Sequence, residues 1–143
     1  VIEAFGPIGA ELVINTRDLL KPEAEIRRMT ERFMTDDVLF GYVTNMQLRD
    51  YFQPEKVEQA RWQIEQAQGN VLVVGTGAAW VMQGMDATVV YADMARWEIQ
   101  QRFRAHKVKA LGVDNRDEAV PLQYKRGYFN DWRVCDKYKN EIF

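Results

Sequence analysis

Two unbroken apolar runs in the middle of the chain constrain its fold more than any other feature. They are "NVLVVG" at residues 70–75 and "ATVVYAD" at residues 87–93. Continuous apolar runs of this length are typical of strands that are covered on both faces, as in parallel sheets. The stretch "ELVINT" at residues 11–16 can form a further short strand. The runs therefore favour a sheet with layers packed on both sides.

Helical patterns alternate with these runs. "KPEAEIRRMTERFM" at residues 21–34 and "QPEKVEQARWQIEQAQG" at residues 53–69 each place a proline near the first helical turn and repeat apolar residues at helical spacing. "MARWEIQQRFRAHKV" at residues 94–108 follows the second run, and residues 122–143 predict a final helix with Gly127 as its weak point. This order predicts an α/β fold whose sheet is mainly parallel and flanked by helices.

Composition limits the class of protein and its location. The 143 residues are 47% hydrophobic and 28% charged, which predicts one soluble domain over residues 1–143. The lone Cys135 excludes an internal disulfide and fits a reducing compartment. The longest apolar stretch, Val71 to Met82, is too short to span a membrane, and no signal peptide is visible. We therefore expect a cytoplasmic protein with no membrane partner, and no metal site, since His106 and Cys135 alone cannot enclose zinc.

Charge is distributed unevenly along the chain. Residues 1–93 hold 8 Lys+Arg against 14 Asp+Glu, a balance of −6, whereas residues 94–143 hold 11 against 7, a balance of +4. A basic C-terminal third on an acidic protein indicates a local anion site rather than a nucleic-acid surface. The alternative is a charge split without any ligand.

The first candidate anion site follows the first apolar run. Gly75, Thr76 and Gly77 can bring backbone N–H groups close to a phosphate, and Asp93 is expected on the same edge of the sheet. However, "GTGAAW" lacks the third glycine of a dinucleotide fingerprint, and G-x-x-x-x-G-K-[ST] does not occur. Catalytic phosphoryl transfer is therefore not predicted from these residues, and the alternative is a tight turn after the strand.

The second candidate is the basic helix. Arg96, Arg102 and Arg104 fall within three turns, and arginine forks match phosphate oxygens. We predict that they act as phosphate ligands from above the sheet edge. The alternative is a solvated helix face that pairs with acids such as Glu98.

The C-terminal segment mixes basic and aromatic residues. Lys125 and Arg126 are secondary phosphate candidates and are predicted to be exposed, whereas Tyr128, Phe129 and Trp132 are predicted to dock the last helix onto the core. Such mixtures can instead stack bases and bind phosphate. No Ser/His/Asp or Cys/His arrangement is credible, so the catalytic residues are unknown.

Residues 50–104 resemble the second half of a P-loop nucleoside kinase of the uridine-kinase type. The matching pieces are "YFQPEKVEQARWQI", "VLVVGTGAA", "ATVVYAD" and "MARWEIQQRFR". The resemblance implies a kinase-like fold in which the last piece is a lid helix that carries arginines. It also implies MgATP as a possible cofactor, although no other cofactor is evident and the P-loop is missing.

"VVYADMARWEIQQRFR" and "LQYKRGYFNDWRVCDKYK" resemble the kinase-like N-terminal region of some long bacterial proteins classed as class I mannose-6-phosphate isomerases. In such proteins a separate cupin portion carries out the isomerase chemistry with zinc held by His, Glu and Gln. The resemblance therefore implies an accessory domain or a fragment, with an isomerase as an attached or partner domain.

Three functions follow from these readings. The first is a degenerate kinase-like domain that binds a phosphorylated small molecule, either a nucleotide or a sugar phosphate, or that supports an attached enzyme of carbohydrate metabolism. The second is an active nucleoside or sugar kinase whose P-loop lies outside this segment. The third is an interaction domain that docks through its aromatic C-terminal helix.

Overall fold

The structure, a computed structural model, describes residues 9–143 as a mixed α/β protein. Two compact units can be distinguished. The strand unit comprises the described residues up to Leu20 together with Phe52–Val89, and the helical unit comprises Lys21–Tyr51 and Val90–Phe143.

The regular elements are short. The strands are β1 (Leu12–Asn15) and β2 (Val71–Val74), and the helices are α1 (Glu23–Met34), α2 (Pro54–Gln66), α3 (Ala78–Val81), α4 (Arg96–Arg104), α5 (Val120–Arg126) and α6 (Trp132–Ile142). Single 3-10 turns lie at Thr16–Leu19 and Leu48–Tyr51, and a π-helical segment at Gly127–Asp131 joins α5 to α6.

The strand unit confirms the predicted parallel pairing. β1 and β2 run parallel in a two-stranded sheet, with Leu12 opposite Val71 and Asn15 opposite Val74. α2 buries Val57, Ala60 and Ile64 as the helical spacing predicts. The expectation that β2 is covered on both faces is wrong, because all four of its residues are only half-buried. The reason is that the sheet is two strands wide among the described residues.

The second apolar run does not form a strand. Residues 87–93 have no regular structure and are exposed, with Val90 exposed by 67%. A strand is stabilised by hydrogen bonds to a neighbouring strand, and within residues 9–143 this run pairs with none. Asp93 therefore does not end a strand beside Gly75, and its carboxylate instead contacts Lys139 Nζ of α6 at 2.5 Å.

The helical unit is built around α1 and the C-terminal helices. Ile26 and Phe33 of α1 are buried as predicted. Phe103 of α4 stacks on Trp132 of α6 with the ring centroids 6.2 Å apart, and both side chains are buried. The prediction that Trp132 is a core residue is confirmed. The same prediction for Tyr128 is wrong, because its side chain is 38% exposed. Phe129 is half-buried.

Gly127 marks the irregular point of the C-terminal helix, because α5 gives way to the π-helical segment at this residue. A Cβ atom on Gly127 would lie 2.7 Å from Cε2 and 2.8 Å from Cζ2 of Trp132. The indole ring therefore packs against bare backbone, and only glycine leaves room for it.

No helix among residues 9–143 is long and apolar enough to cross a membrane.

We expect Gly127→Ala to lower the stability of the protein by about 1–2 kcal/mol. Overpacking a well-filled core costs about 1–3 kcal/mol, and the better helix propensity of alanine offsets up to about 1 kcal/mol of that. Urea unfolding followed by circular dichroism measures the change. Asn140→Ala at an exposed position of α6 is the control and should change stability by less than about 0.5 kcal/mol. A Gly127→Ala variant that is as stable as the wild type would contradict the packing role of Gly127.

Candidate functional site

A cleft of the helical unit lies between α1, the loop that follows it, and α5. Its volume is about 540 Å³, which is within the range of roughly 300–1,000 Å³ typical of small-molecule sites. The residues that line it are mostly charged: Arg27, Arg28, Glu31, Met34, Thr35, Asp36, Asp37, Val38, Glu118, Leu122, Lys125 and Arg126. Two of the predicted phosphate ligands, Lys125 and Arg126, therefore share one wall.

Lys125 is buried rather than exposed, with 2% of its surface accessible. Its Nζ donates to the Thr35 carbonyl oxygen at 3.3 Å, to Thr35 Oγ1 at 3.4 Å and to the carbonyl oxygen of Asp37. The prediction of an exposed side chain is wrong because the loop after α1 folds over the ammonium group. These three neutral acceptors use all three N–H donors of the ammonium group, so Lys125 holds the loop in place.

Arg126 is also buried, with 5% of its surface accessible, so its predicted exposure is wrong. The side chain packs against α1, where its Nη1 donates to Thr30 Oγ1 at 3.0 Å. Thr30 in turn donates to the Ile26 carbonyl oxygen at 2.7 Å. The Nε atom of Arg126 is buried without a hydrogen-bond partner. Neither Arg126 nor Lys125 forms an ion pair with a carboxylate within residues 9–143.

The unpaired charge of Arg126 is unusual. Arginine stays protonated in proteins, and burying an uncompensated charge is costly. Asp131 is close enough for the Arg126 charge to lower its pKa, but burial dominates and raises the pKa of that carboxyl to about 6. Asp131 Oδ2 accepts from the Leu111 backbone N–H at 3.0 Å, whereas its Oδ1 has no partner. The interior beside the cleft thus carries a permanent cation and a carboxyl that is difficult to ionise.

Other buried polar atoms surround the π-helical segment. Tyr51 Oη and Asn130 Oδ1 have no hydrogen-bond partner, although Asn130 Nδ2 contacts Met34 Sδ at 3.2 Å. Burial, and secondarily the charge of Asp131, raise the pKa of the Tyr51 phenol. π-helical turns occur frequently at functional sites. The buried polar atoms without partners lie around the π-helical segment, and this coincidence marks the region beside the cleft as the candidate site.

The carboxylates of the cleft are partly engaged. Glu118 Oε1 accepts from Arg27 Nη1 at 2.9 Å. Asp37 Oδ1 accepts from the backbone N–H groups of Leu39 and Phe40, each at 2.7 Å, and these hydrogen bonds lower the pKa of Asp37. Glu31 and Asp36 remain as exposed lining residues. The cleft therefore combines a buried cationic wall with an acidic rim.

The arginines of α4 lie outside this cleft. Arg96 Nη2 contacts both oxygens of Asp136 at 2.6 Å, and its guanidinium lies 4.9 Å from the ring centroid of Trp132. Arg102 Nε donates to Glu98 Oε1 at 2.7 Å, one helical turn earlier. This ion pair with Glu98 is the one expected if the arginines of α4 form a solvated helix face.

Arg104 is the third arginine of α4. It lies 5.9 Å from the ring centroid of Trp97, whose side chain is 65% exposed. All three α4 arginines belong to the helical unit, as do Lys125 and Arg126. The structure therefore places five of the eight predicted site residues in one unit, but only Lys125 and Arg126 line the cleft.

The remaining predicted residues belong to the strand unit. Gly75 and Gly77 have φ values of +119° and +88°, in the region that favours glycine. The Thr76 carbonyl oxygen accepts from Thr16 Oγ1 at 2.9 Å, and a Cβ on Gly75 would collide with the same hydroxyl. Gly77 precedes α3, which has only four residues. This geometry is that of a tight turn between strand and helix.

Thr30 and Asp131 are residues of the site that the sequence motifs did not indicate. Thr30 shares the buried face of α1 with Ile26 and Phe33. A hydroxyl group at an apolar position of the helical pattern is therefore the sequence feature that could have indicated it. Asp131 stands between aromatic residues in "YFNDW", where a carboxylate is unexpected. A polar residue in an apolar pattern therefore marks both positions.

Fold and site together define a mixed α/β protein with a polar cleft at an irregular helix. The chain belongs to the family described as "Domain of unknown function (DUF8485)", whose model matches residues 1–143. No curated protein and no solved structure matches the chain.

Asp131 predicts a specific dependence of stability on pH. Its pKa is about 6 when folded, against a usual value of 3.8, so the folded state retains a proton that the unfolded state loses between these values. Stability should fall as the pH rises from about 4 to about 6, by roughly 2–3 kcal/mol, because each pKa unit corresponds to about 1.4 kcal/mol.

Asp131→Asn removes the titration and keeps an oxygen that can accept from Leu111. We expect the variant to gain stability relative to the wild type across that pH interval, with a constant difference above and below it. Urea unfolding at half-unit pH steps measures the difference. A difference that is independent of pH would contradict the raised pKa.

Proposed function

We propose that this protein binds a phosphorylated small molecule in the cleft between α1 and α5, with Arg126 as the residue that holds the phosphate. The observation that carries the proposal is the state of Arg126, which lines the cleft and is 5% exposed. Its Nε has no partner, and no carboxylate of the described chain forms an ion pair with it. A phosphate would compensate the charge and accept from the guanidinium fork.

Lys125 has a supporting role in this proposal. Its ammonium group is fully used by Thr35 and the Asp37 carbonyl oxygen, so it fixes the loop that borders the cleft. The positive charge nevertheless stays within the wall and adds to the local potential, because charges interact more strongly where water is excluded.

The acidic rim favours a sugar phosphate over a nucleoside triphosphate. Glu31 and Asp36 also line the cleft, and their charge is opposite in sign to that of its buried wall. Carboxylates accept hydrogen bonds from hydroxyl groups, whereas they repel additional phosphates. A ligand with one phosphate and several hydroxyls fits both parts of the cleft.

The other functional readings stay predictions. A parallel strand pair followed by the turn at Gly75–Gly77 supports a kinase-like fold, while the lack of a strand at residues 87–93 does not. The following also stay predictions: use of MgATP, a lid role for the α4 arginines, support of an attached mannose-6-phosphate isomerase, an interaction role, a single domain over residues 1–143 and a cytoplasmic location.

Thermal-shift titrations with mannose 6-phosphate, mannose, inorganic phosphate and MgATP test the proposed ligand class. We expect a saturable rise in melting temperature with mannose 6-phosphate that mannose does not produce, because a ligand that binds only the folded state stabilises it, by about 2.7 kcal/mol at a hundredfold excess over Kd. The rise with MgATP should be smaller. No rise with any of the four up to millimolar concentration would contradict the proposal.

Variants of Arg126 test the proposed residue. Arg126→Met keeps the volume of the stem and should abolish the shift with mannose 6-phosphate, while Arg126→Lys keeps the charge without the fork and should weaken it. Removing a buried uncompensated charge should not destabilise the free protein, so loss of binding can be separated from loss of folding by the melting temperature without ligand.

The matched control is the double variant Arg102→Gln with Arg104→Gln, which removes two charges from exposed positions of α4. Its binding should equal that of the wild type. Lost binding in this control together with retained binding in Arg126→Met would contradict the cleft and favour the lid arrangement.

A further inference from the structure

A second, smaller pocket lies on the other side of the C-terminal helices, within the helical unit. Its volume is about 120 Å³, and it is lined by Arg96, Tyr124, Tyr128, Trp132, Arg133 and Asp136. We call this set of residues the aromatic box. None of its members lines the cleft described above. The box is therefore independent of the proposed phosphate site.

Three aromatic rings form its walls. The ring centroids of Tyr124 and Trp132 are 5.3 Å apart and nearly perpendicular, at 86°. Those of Tyr124 and Tyr128 are 6.0 Å apart with the rings nearly parallel, at 17°. Both tyrosines are 38% exposed, whereas Trp132 is anchored in the core. The two tyrosine rings are thus partly accessible to solvent, and Arg96 covers the ring of Trp132.

The box already holds cations of its own chain. The guanidinium carbon of Arg96 lies 4.9 Å from the ring centroid of Trp132, and that of Arg133 lies 4.5 Å from the ring centroid of Tyr128. Both distances are within about 6 Å, the range in which a ring face attracts a cation. Asp136 adds a carboxylate, which contacts Arg96 Nη2 at 2.6 Å through both of its oxygens.

The contact of Arg96 is one that a competing cation can displace. Its side chain and that of Asp136 are 43% and 47% exposed, and ion pairs at such positions contribute only about 0–1 kcal/mol. Arg96 enters from α4, whereas the rings and Asp136 belong to the continuous helix from α5 to α6. Arg96 can therefore leave without any change in the walls.

We propose that the aromatic box binds a methylated ammonium group and that Arg96 is the internal competitor for the site. The three ring faces and Asp136 supply cation–π attraction and a counter-charge, which is the chemistry that recognises quaternary ammonium. The small volume suits a head group rather than a whole drug-sized ligand.

The ligand can be a free quaternary amine or a trimethylated lysine side chain of a protein. Titrations with choline, free trimethyllysine and a peptide that contains trimethyllysine distinguish the two sources. The readout is the NMR signal of the Trp132 indole N–H together with calorimetry. Binding of the peptide more tightly than of both free amines indicates a protein partner, and equal binding of all three indicates a free amine; either result supports the box.

Variants and a neutral ligand make the test specific. Arg96→Gln should bind choline roughly five- to tenfold more tightly than the wild type, since the competitor is removed. In that background Tyr124→Leu should abolish binding and Tyr124→Phe should retain it. 3,3-Dimethylbutanol, which has the shape of choline without the charge, should not bind. Absence of saturable choline binding in Arg96→Gln, or equal binding of the neutral analogue, would overturn the proposal.

Discussion

The packing of the Trp132 ring against the bare backbone of Gly127 is the contact on which the rest of the helical unit depends. The ring occupies the place where any Cβ would stand, and the helix widens into a π turn over these same residues. An extra residue in a turn changes which side chains share a face afterwards. Lys125 and Arg126 line the cleft on α1, whereas Tyr124 before the turn and Trp132 and Asp136 after it line the aromatic box. The continuous helix from α5 to α6 thus contributes residues to both sites.

The wall of the cleft carries the charge of Arg126, which no ion pair within residues 9–143 neutralises. Arg126 is anchored by a threonine hydroxyl, and burial raises the pKa of the nearby Asp131 carboxyl to about 6. A fold selected for stability alone would pair such groups or replace them with apolar side chains, because an unpaired buried charge costs more than either. The aromatic box differs, since its Arg96 and Asp136 form an ion pair that is accessible to solvent. The two ligands that we propose, a phosphorylated small molecule and a methylated ammonium group, accordingly carry opposite charges.

The regular elements with strong local patterns could be predicted from the sequence. α1 and α2 follow from proline in the first turn and apolar residues at helical spacing, and β2 follows from an unbroken valine-rich run. The run at residues 87–93 has the same composition but stays without a neighbouring strand, and composition cannot show whether a neighbour exists. Lys125 and Arg126 could be selected as charged residues in a basic segment. Their burial could not be predicted, because it depends on contacts with α1 and the loop that follows it. The contact between Lys125 and Thr35, for example, joins residues that are 90 positions apart in the chain.

The sequence by itself determined the mixed α/β class, the parallel pairing of short strands, the helices α1 and α2 and the concentration of positive charge in the C-terminal third. Only the tertiary structure decided which of those charges are available to a ligand. Arg96 and Arg102 find carboxylates on neighbouring turns and helices, whereas Arg126 is carried into the interior against Thr30 without one. The physical reason is that local periodicity sets the face on which a side chain lies, while its partners, burial and net compensation of charge depend on segments that meet only when the chain has folded.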